Sequence, residues 1–177
     1  MDGFNVAQLL DDREERYKKQ IEMITVHNLP IISFTINTPG SEKNNKIIKH
    51  IFESGLKEIE SVLLNNSIEI MDRYYSTDGL SGPIIILSLS SNPIKLKELM
   101  IGIENKHSLG RLLDIDVIDE QLKHISRTDL GFETRKCLIC NEYAKICSRS
   151  QRHDMTDVLN KFYDICFSYL ANQNKKT

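Results

Sequence analysis

The chain is 177 residues long, 40% apolar and 27% charged, with a net charge of -2 and a pI near 6.2. That is enough for one domain with a sizeable core and too little for a second, and the slightly acidic balance argues against broad binding to nucleic acid or to an anionic membrane. No stretch approaches the roughly 18 apolar residues that span a bilayer, and the opening Met1-Asp2-Gly3-Phe4-Asn5 lacks the basic-then-apolar pattern of a secretory leader, so the expected compartment is the cytoplasm.

Residues 6–27 set Val6, Leu9, Leu10, Tyr17, Ile21 and Ile24 at helical spacing within a rim of charge, which predicts one amphipathic helix. Arg13 and Arg16 lie three apart on one face of it, either as a solvated rim or as a clamp for an anionic ligand. Residues 31–36 are short and β-branched between Pro30 and Pro39, the pattern of a strand. A turn over 37–41 leads into a helix at about 44–64, with Ile47, Ile48, Ile51, Phe52, Gly55, Leu56, Ile59 and Leu63 on one stripe. The start of that helix follows Gly40 and has Lys43 beside it, so free N–H groups and a cation could receive a phosphate there; a junction that binds nothing reads the same way.

Residues 68–75 and 84–89 predict two more strands, joined by the turn-rich 76–83. Pro93 starts a helix ending near His107, with Leu96, Leu99, Met100 and Ile103 on one face. The strand that follows carries Asp114 and Asp116. Over 31–118 the order is strand, helix, strand, strand, helix, strand. This is the split βαβ, ferredoxin-like arrangement of an α+β protein, in which two helices cover one face of a four-stranded antiparallel sheet. The helix at 6–27 is expected outside this core unit. Residues 119–177 form an appendage of the same domain, with a Cys/His motif, a final helix over 155–170 that buries Val158, Leu159, Phe162, Ile165, Cys166 and Tyr169, and a polar tail from 172 expected to fray.

The stretch 110–117, Gly-Arg-Leu-Leu-Asp-Ile-Asp-Val, holds the main candidate for chemistry. On a strand Asp114 and Asp116 point the same way while Leu113, Ile115 and Val117 point into a core. Two carboxylates on one face repel unless a cation lies between them, and hard oxygen ligands suit Mg²⁺; a strand end emerging into solvent is the bland alternative. Arg111, after a Gly110 that permits close backbone approach, is placed to hold phosphate oxygens. Metal plus arginine is the equipment of phosphoryl or nucleotidyl transfer. Glu104, on the helical face it shares with His107, is either a third carboxylate for the metal or part of a helix rim. Downstream, Cys137, Cys140, Cys147 and His153 follow Cys-x2-Cys-x6-Cys-x5-His, a set that either closes a structural Zn²⁺ site or consists of buried reduced thiols. A redox role for Cys137 and Cys140 fits less well, because the pair does not follow the strand of a βαβ unit.

Taken together, Ser33-Phe34-Thr35, Pro39-Gly40 with Lys43, Gly82-Pro83, the 110–117 motif, Ser126-Arg127, and Arg-Lys-Cys-Leu-Ile-Cys from Arg135 with Ala144, Cys147, Arg149 and His153 resemble the citrate lyase holo-acyl-carrier-protein synthase family. The resemblance runs from about Arg13 to Leu159; Ile84 stands where an acidic residue is expected after Gly-Pro, and Ser108 where the family often has proline. It implies a nucleotidyltransferase with two partners: the acyl carrier subunit of citrate lyase and 2'-(5''-triphosphoribosyl)-3'-dephospho-CoA. A serine of the carrier attacks the phosphorus nearest the ribose and pyrophosphate leaves. On that reading Asp114 and Asp116 hold Mg²⁺, Arg111 and Lys43 contact phosphates with Arg13 as a further candidate, and Gly40 and Gly110 line the substrate. The rival is a zinc-bearing RNA-binding module, since a ferredoxin-like sheet also carries the RRM; its central strand at 84–89 lacks the aromatics on which bases would stack.

Overall fold

The structure is a computed structural model that describes residues 6–175. Its elements run α1 (Val6–His27), β1 (Ile31–Ile36), α2 (Lys46–Asn65), β2 (Ile70–Ser76), β3 (Ile84–Leu89), α3 (Pro93–Lys106), β4 (Leu113–Ile118), a 3-10 turn at Thr128–Leu130, α4 (Ala144–Arg149) and α5 (Met155–Asn174). The strands pair antiparallel in the order β2-β3-β1-β4, the split βαβ topology expected of the α+β fold.

Side-chain alternation divides the sheet into two unlike faces. On one, Ile32, Phe34, Ile36, Ile85, Leu87, Leu89, Leu113, Ile115 and Val117 meet the apolar stripes of α2, α3 and α5 in a single large core, which Phe162, Cys166 and Tyr169 complete from α5. At full burial each such aliphatic or aromatic side chain contributes roughly 1.5–3 kcal/mol, so this face carries most of the stability. Asn45 and Asn92 cap α2 and α3, their side chains accepting from Ile48 N and Ile94 N at 3.0 and 2.9 Å.

The other face is only partly apolar. There α1 lies against the sheet, with Met23 and Ile24 packed on Ile31, Ile84, Ile86 and Ile118. The expected six-residue stripe of α1 is therefore not all buried. Leu10 and Tyr17 are 55% and 58% exposed, while Gln20 is buried, because the sheet beneath the front half of α1 is polar.

Three boundaries and one added element differ from the sequence reading. Strand β4 begins at Leu113, since Gly110 N donates to His107 O (2.8 Å) and Leu112 N to Leu109 O (2.7 Å), folding 107–112 into consecutive turns. Strand β2 begins at Ile70, after Ser67 takes a left-handed φ of 54°. Helix α4, six residues long, is too short to show a helical period. The tail expected to fray from 172 instead continues α5 through Asn174, and residues 176–177 lie outside the described residues. No helix among the described residues is long and apolar enough to cross a membrane.

Candidate active site

The register of β1 against β4 builds the polar half of the α1-side face. Thr35 lies opposite Asp114 and Ser33 opposite Asp116. The same two residues face Ile84 and Ile86 on β3, so the polar pairing at this end of the face lies between β1 and β4. Asp116 is exposed and Asp114 half-exposed. Burial, and then the charge of Asp116, push the Asp114 carboxyl above its ordinary range, while Arg135, Arg16 and Lys97 pull it back. The charge of Arg16 thus reaches Asp114 from α1.

Cations gather beyond the β4 edge. Lys97, buried on α3, donates to Ile115 O at 2.9 Å, satisfying an edge carbonyl of β4; burial lowers its pKa. Glu104 is buried about two turns further along α3, and its carboxylate is not left free beside the aspartate pair. Instead it receives a short hydrogen bond from Arg135 Nη2 and faces Arg127 Nε at 3.7 Å. Arg135 Nη1 reaches on to Asp114 Oδ1 at 3.4 Å, so one guanidinium ties the buried glutamate to the exposed pair. Arg111 is exposed; its Nη2 donates to Lys136 O and Cys137 O at 2.6 and 2.8 Å. Arg111, Arg127, Arg135 and Lys136 line a cavity of about 290 Å³. A second cavity of about 590 Å³ shares Arg111, Arg135 and Lys136 and runs between Pro39, Leu138, Ile139 and Val158.

The Cys/His segment forms a compact knuckle. Residues 135–144 fold back on themselves, with Ala144 N donating to Arg135 O (2.9 Å) and Cys137 N to Glu142 O (2.6 Å). Ligand atoms of Cys137, Cys140, Cys147 and His153 all lie within 4.8 Å of one another, and Cys140 Sγ is 3.6 Å from Cys147 Sγ. Four donors around a tetrahedral zinc sit roughly 3.5–3.8 Å apart, given bond lengths of about 2.0–2.3 Å. His153 Nε2 is buried without a hydrogen-bond partner, and Ile139 N donates to Cys137 Sγ. The cluster could therefore hold a metal such as zinc.

The remaining sequence candidates are placed differently. Lys43 Nζ donates to Thr38 O at 2.9 Å, and burial, with Arg13 nearby, lowers its pKa. Arg13 of α1 thus brings its charge near Lys43, which precedes α2, whose first turn is already capped by Asn45. Gly40 has a left-handed φ of 74° and faces Leu159 of α5. Gly110 packs against the carbonyls of Glu104 and His107, so its close approach serves the α3 terminus as well as the cavity it lines.

Known proteins resemble this chain over most of its length. The apo-citrate lyase phosphoribosyl-dephospho-CoA transferase family model matches residues 4–169. Apo-citrate lyase phosphoribosyl-dephospho-CoA transferases of Shigella boydii serotype 18, Escherichia coli strain SE11 and Shigella sonnei are each 32% identical over 157 residues, 89% of this chain and 85% of the relative. The chain belongs to this family. It is accordingly a transferase of the citrate lyase prosthetic-group kind, as the motifs implied.

Arg127 and Arg135 carried no assigned role in the sequence reading, nor did Lys97. Arg135 and Lys136 do stand directly before Cys137, a pair of cations fused to a metal motif. The partnership of Arg135 with Glu104, 31 residues away, has no periodic signature.

Proposed function

We propose that the polar face over β1 and β4 is where the chain transfers the phosphoribosyl-dephospho-CoA group of 2'-(5''-triphosphoribosyl)-3'-dephospho-CoA to a serine of the acyl carrier subunit of citrate lyase, within one domain and in the cytoplasm. The observation that carries this reading is the Asp114/Asp116 pair on one strand face, opposite Thr35 and Ser33 and between Arg16 and Arg135.

The serine oxygen forms a bond to the phosphorus nearest the ribose; the bond from that phosphorus to the next phosphate oxygen breaks, its electron pair leaves with pyrophosphate, and the serine proton passes to solvent. Asp114 and Asp116 would hold Mg²⁺, which supplies charge neutralisation and orientation at the phosphate oxygens. The donor set fits a hard cation: both groups are carboxylates, and the Asp116 repulsion that adds to burial in raising Asp114 is what a bound cation relieves. Arg13 and Arg16 from α1, and Lys43 before α2, offer positive charge to the triphosphate chain from the other side. The Cys137, Cys140, Cys147 and His153 set would hold Zn²⁺ in a structural role, keeping Arg135 and Lys136 in place beside the reacting group.

The RNA-binding alternative is not favoured, because α1 lies across the sheet face on which an RRM stacks bases. The test is direct. Purified protein, Mg²⁺, apo-carrier and the triphosphoribosyl substrate should give a carrier with increased mass and free pyrophosphate, and Asp116→Asn should abolish both while retaining the far-UV circular dichroism of the parent. Full transfer by Asp116→Asn would remove that carboxylate from the mechanism.

A further inference from the structure

We infer that the cavity between the end of α3 and residues 127–136 is a pyrophosphate site, in which Arg127 and Arg135 receive the diphosphate leaving group. This rests on the proposed transfer and adds to it the place where the second product is held.

The cavity has a charge that the chain as a whole does not. Its walls carry four cations, Arg111, Arg127, Arg135 and Lys136, and two carboxylates, Glu104 and Glu133, a net of +2 in a chain of net charge -2. Of the carboxylates, Glu133 projects into solvent, 84% exposed and 4.0 Å from Lys136. Glu104 lies inside the protein, its side chain 2% exposed, where it orients two guanidiniums and leaves their outer edges to the cavity.

Donor capacity exceeds what the protein uses. Each guanidinium offers about five N–H donors in a planar fork that matches phosphate oxygens. Arg127 donates through Nη2 to Asn105 Oδ1 at 2.6 Å and turns its buried Nε to Glu104 Oε2 at 3.7 Å, so Nη1 is the donor it keeps for a ligand. Arg135 uses one N–H toward Glu104 and one toward Asp114, and Arg111 uses Nη2 alone on two carbonyls. The volume, about 290 Å³, lies at the lower end of the roughly 300–1,000 Å³ of ligand pockets, so it suits a small anion rather than the whole substrate. Its position supplies the link to the reaction: Arg135 is the one guanidinium that touches both Glu104 in the wall and Asp114 on the reacting face. A diphosphate departing from a phosphorus held over Asp114 meets Arg135 first and Arg127 behind it.

The experiment is calorimetric titration of the full chain, zinc retained, with inorganic pyrophosphate and separately with orthophosphate, with no added Mg²⁺, carrier or triphosphoribosyl substrate. Pyrophosphate should bind at one site, at least 10-fold more tightly than orthophosphate. Arg127→Gln should weaken it about 10- to 100-fold, the range of one or two charge-assisted hydrogen bonds. Because Arg127 pairs with a buried glutamate, Thr134→Glu serves as the second variant: Thr134 is exposed on the cavity rim, and the added carboxylate should weaken pyrophosphate at least 10-fold in a normally folded protein. Lys57→Gln, an exposed change of charge on α2, should leave the affinity unchanged. Absence of pyrophosphate binding, equal affinity for orthophosphate, or wild-type affinity in Thr134→Glu overturns the assignment. Pyrophosphate binding with no modification of the carrier overturns the proposed transfer and leaves the cavity assignment standing.

Discussion

Replacing Gly110 by alanine tests the tie between the α3 terminus and the aspartate strand. A Cβ at this position would be driven into the Glu104 carbonyl, 2.7 Å from its carbon and 2.9 Å from His107 O. Carbon contacts ordinarily sit at about 3.5–4.0 Å, so the turn must move by about 1 Å, and the obstacle is helix backbone rather than a side-chain tip. Overpacking of this kind costs about 1–3 kcal/mol. The Gly110–His107 and Leu109–Leu112 hydrogen bonds, at 2.8 and 2.7 Å, are strained by the same movement, at about 1 kcal/mol each. A loss of about 3 kcal/mol corresponds to a fall in Tm of roughly 6–12 °C for a chain of this size. The displaced strand carries Asp114 and Asp116, and a misplacement near 1 Å can lower a rate about 100-fold. The chain has no tryptophan, so melting is followed by far-UV circular dichroism, with carrier mass shift measured well below the variant's Tm. Gly102→Ala is the control: nothing lies within 4 Å of its Cβ, and it should gain up to about 1 kcal/mol of helix propensity with unchanged transfer. A Gly110→Ala protein that melts within about 2 °C of the parent and transfers at the parental rate refutes the reasoning.

Elemental analysis should find one zinc per chain. Cys140→Ser should lose it and lower transfer by about 10-fold or more while the sheet core melts within a few degrees of the parent, since from 132–154 only Leu138 packs against that core; zinc-free protein with full activity contradicts this. Burial pushes the Cys166 thiol up to about 11, so native protein at neutral pH should leave it unalkylated by iodoacetamide until denaturant is added. The same rise has a defined sign for stability. Between its ordinary value of 9.0 and about 11 the unfolded chain releases the Cys166 proton and the folded chain keeps it, so stability present below pH 9 is lost as pH rises through that window. The loss reaches about 3 kcal/mol, and urea titrations of Cys166→Ala should show correspondingly less of it; equal pH profiles for the two proteins refute the assignment.

Local pattern alone determined much of this protein. The stripes of α2, α3 and α5 and the alternation in β4 are periodic signals within single elements, and β1 and β3 are short β-branched runs bounded by turn residues; together they yielded the element order and the shared face of Asp114 and Asp116. The Cys137, Cys140, Cys147 and His153 set was legible because zinc ligands impose their spacing on the chain. What the tertiary structure decided is everything that joins distant elements. Tyr17 and Leu10 read as core until the placement of α1 over the sheet left them in water. Glu104 read as a metal ligand or a rim charge until Arg127 and Arg135, 23 and 31 residues further on, were found folded over it. Ion pairs across such separations leave no period in the sequence, because their geometry is set by how α3 and residues 127–136 are brought together in the fold.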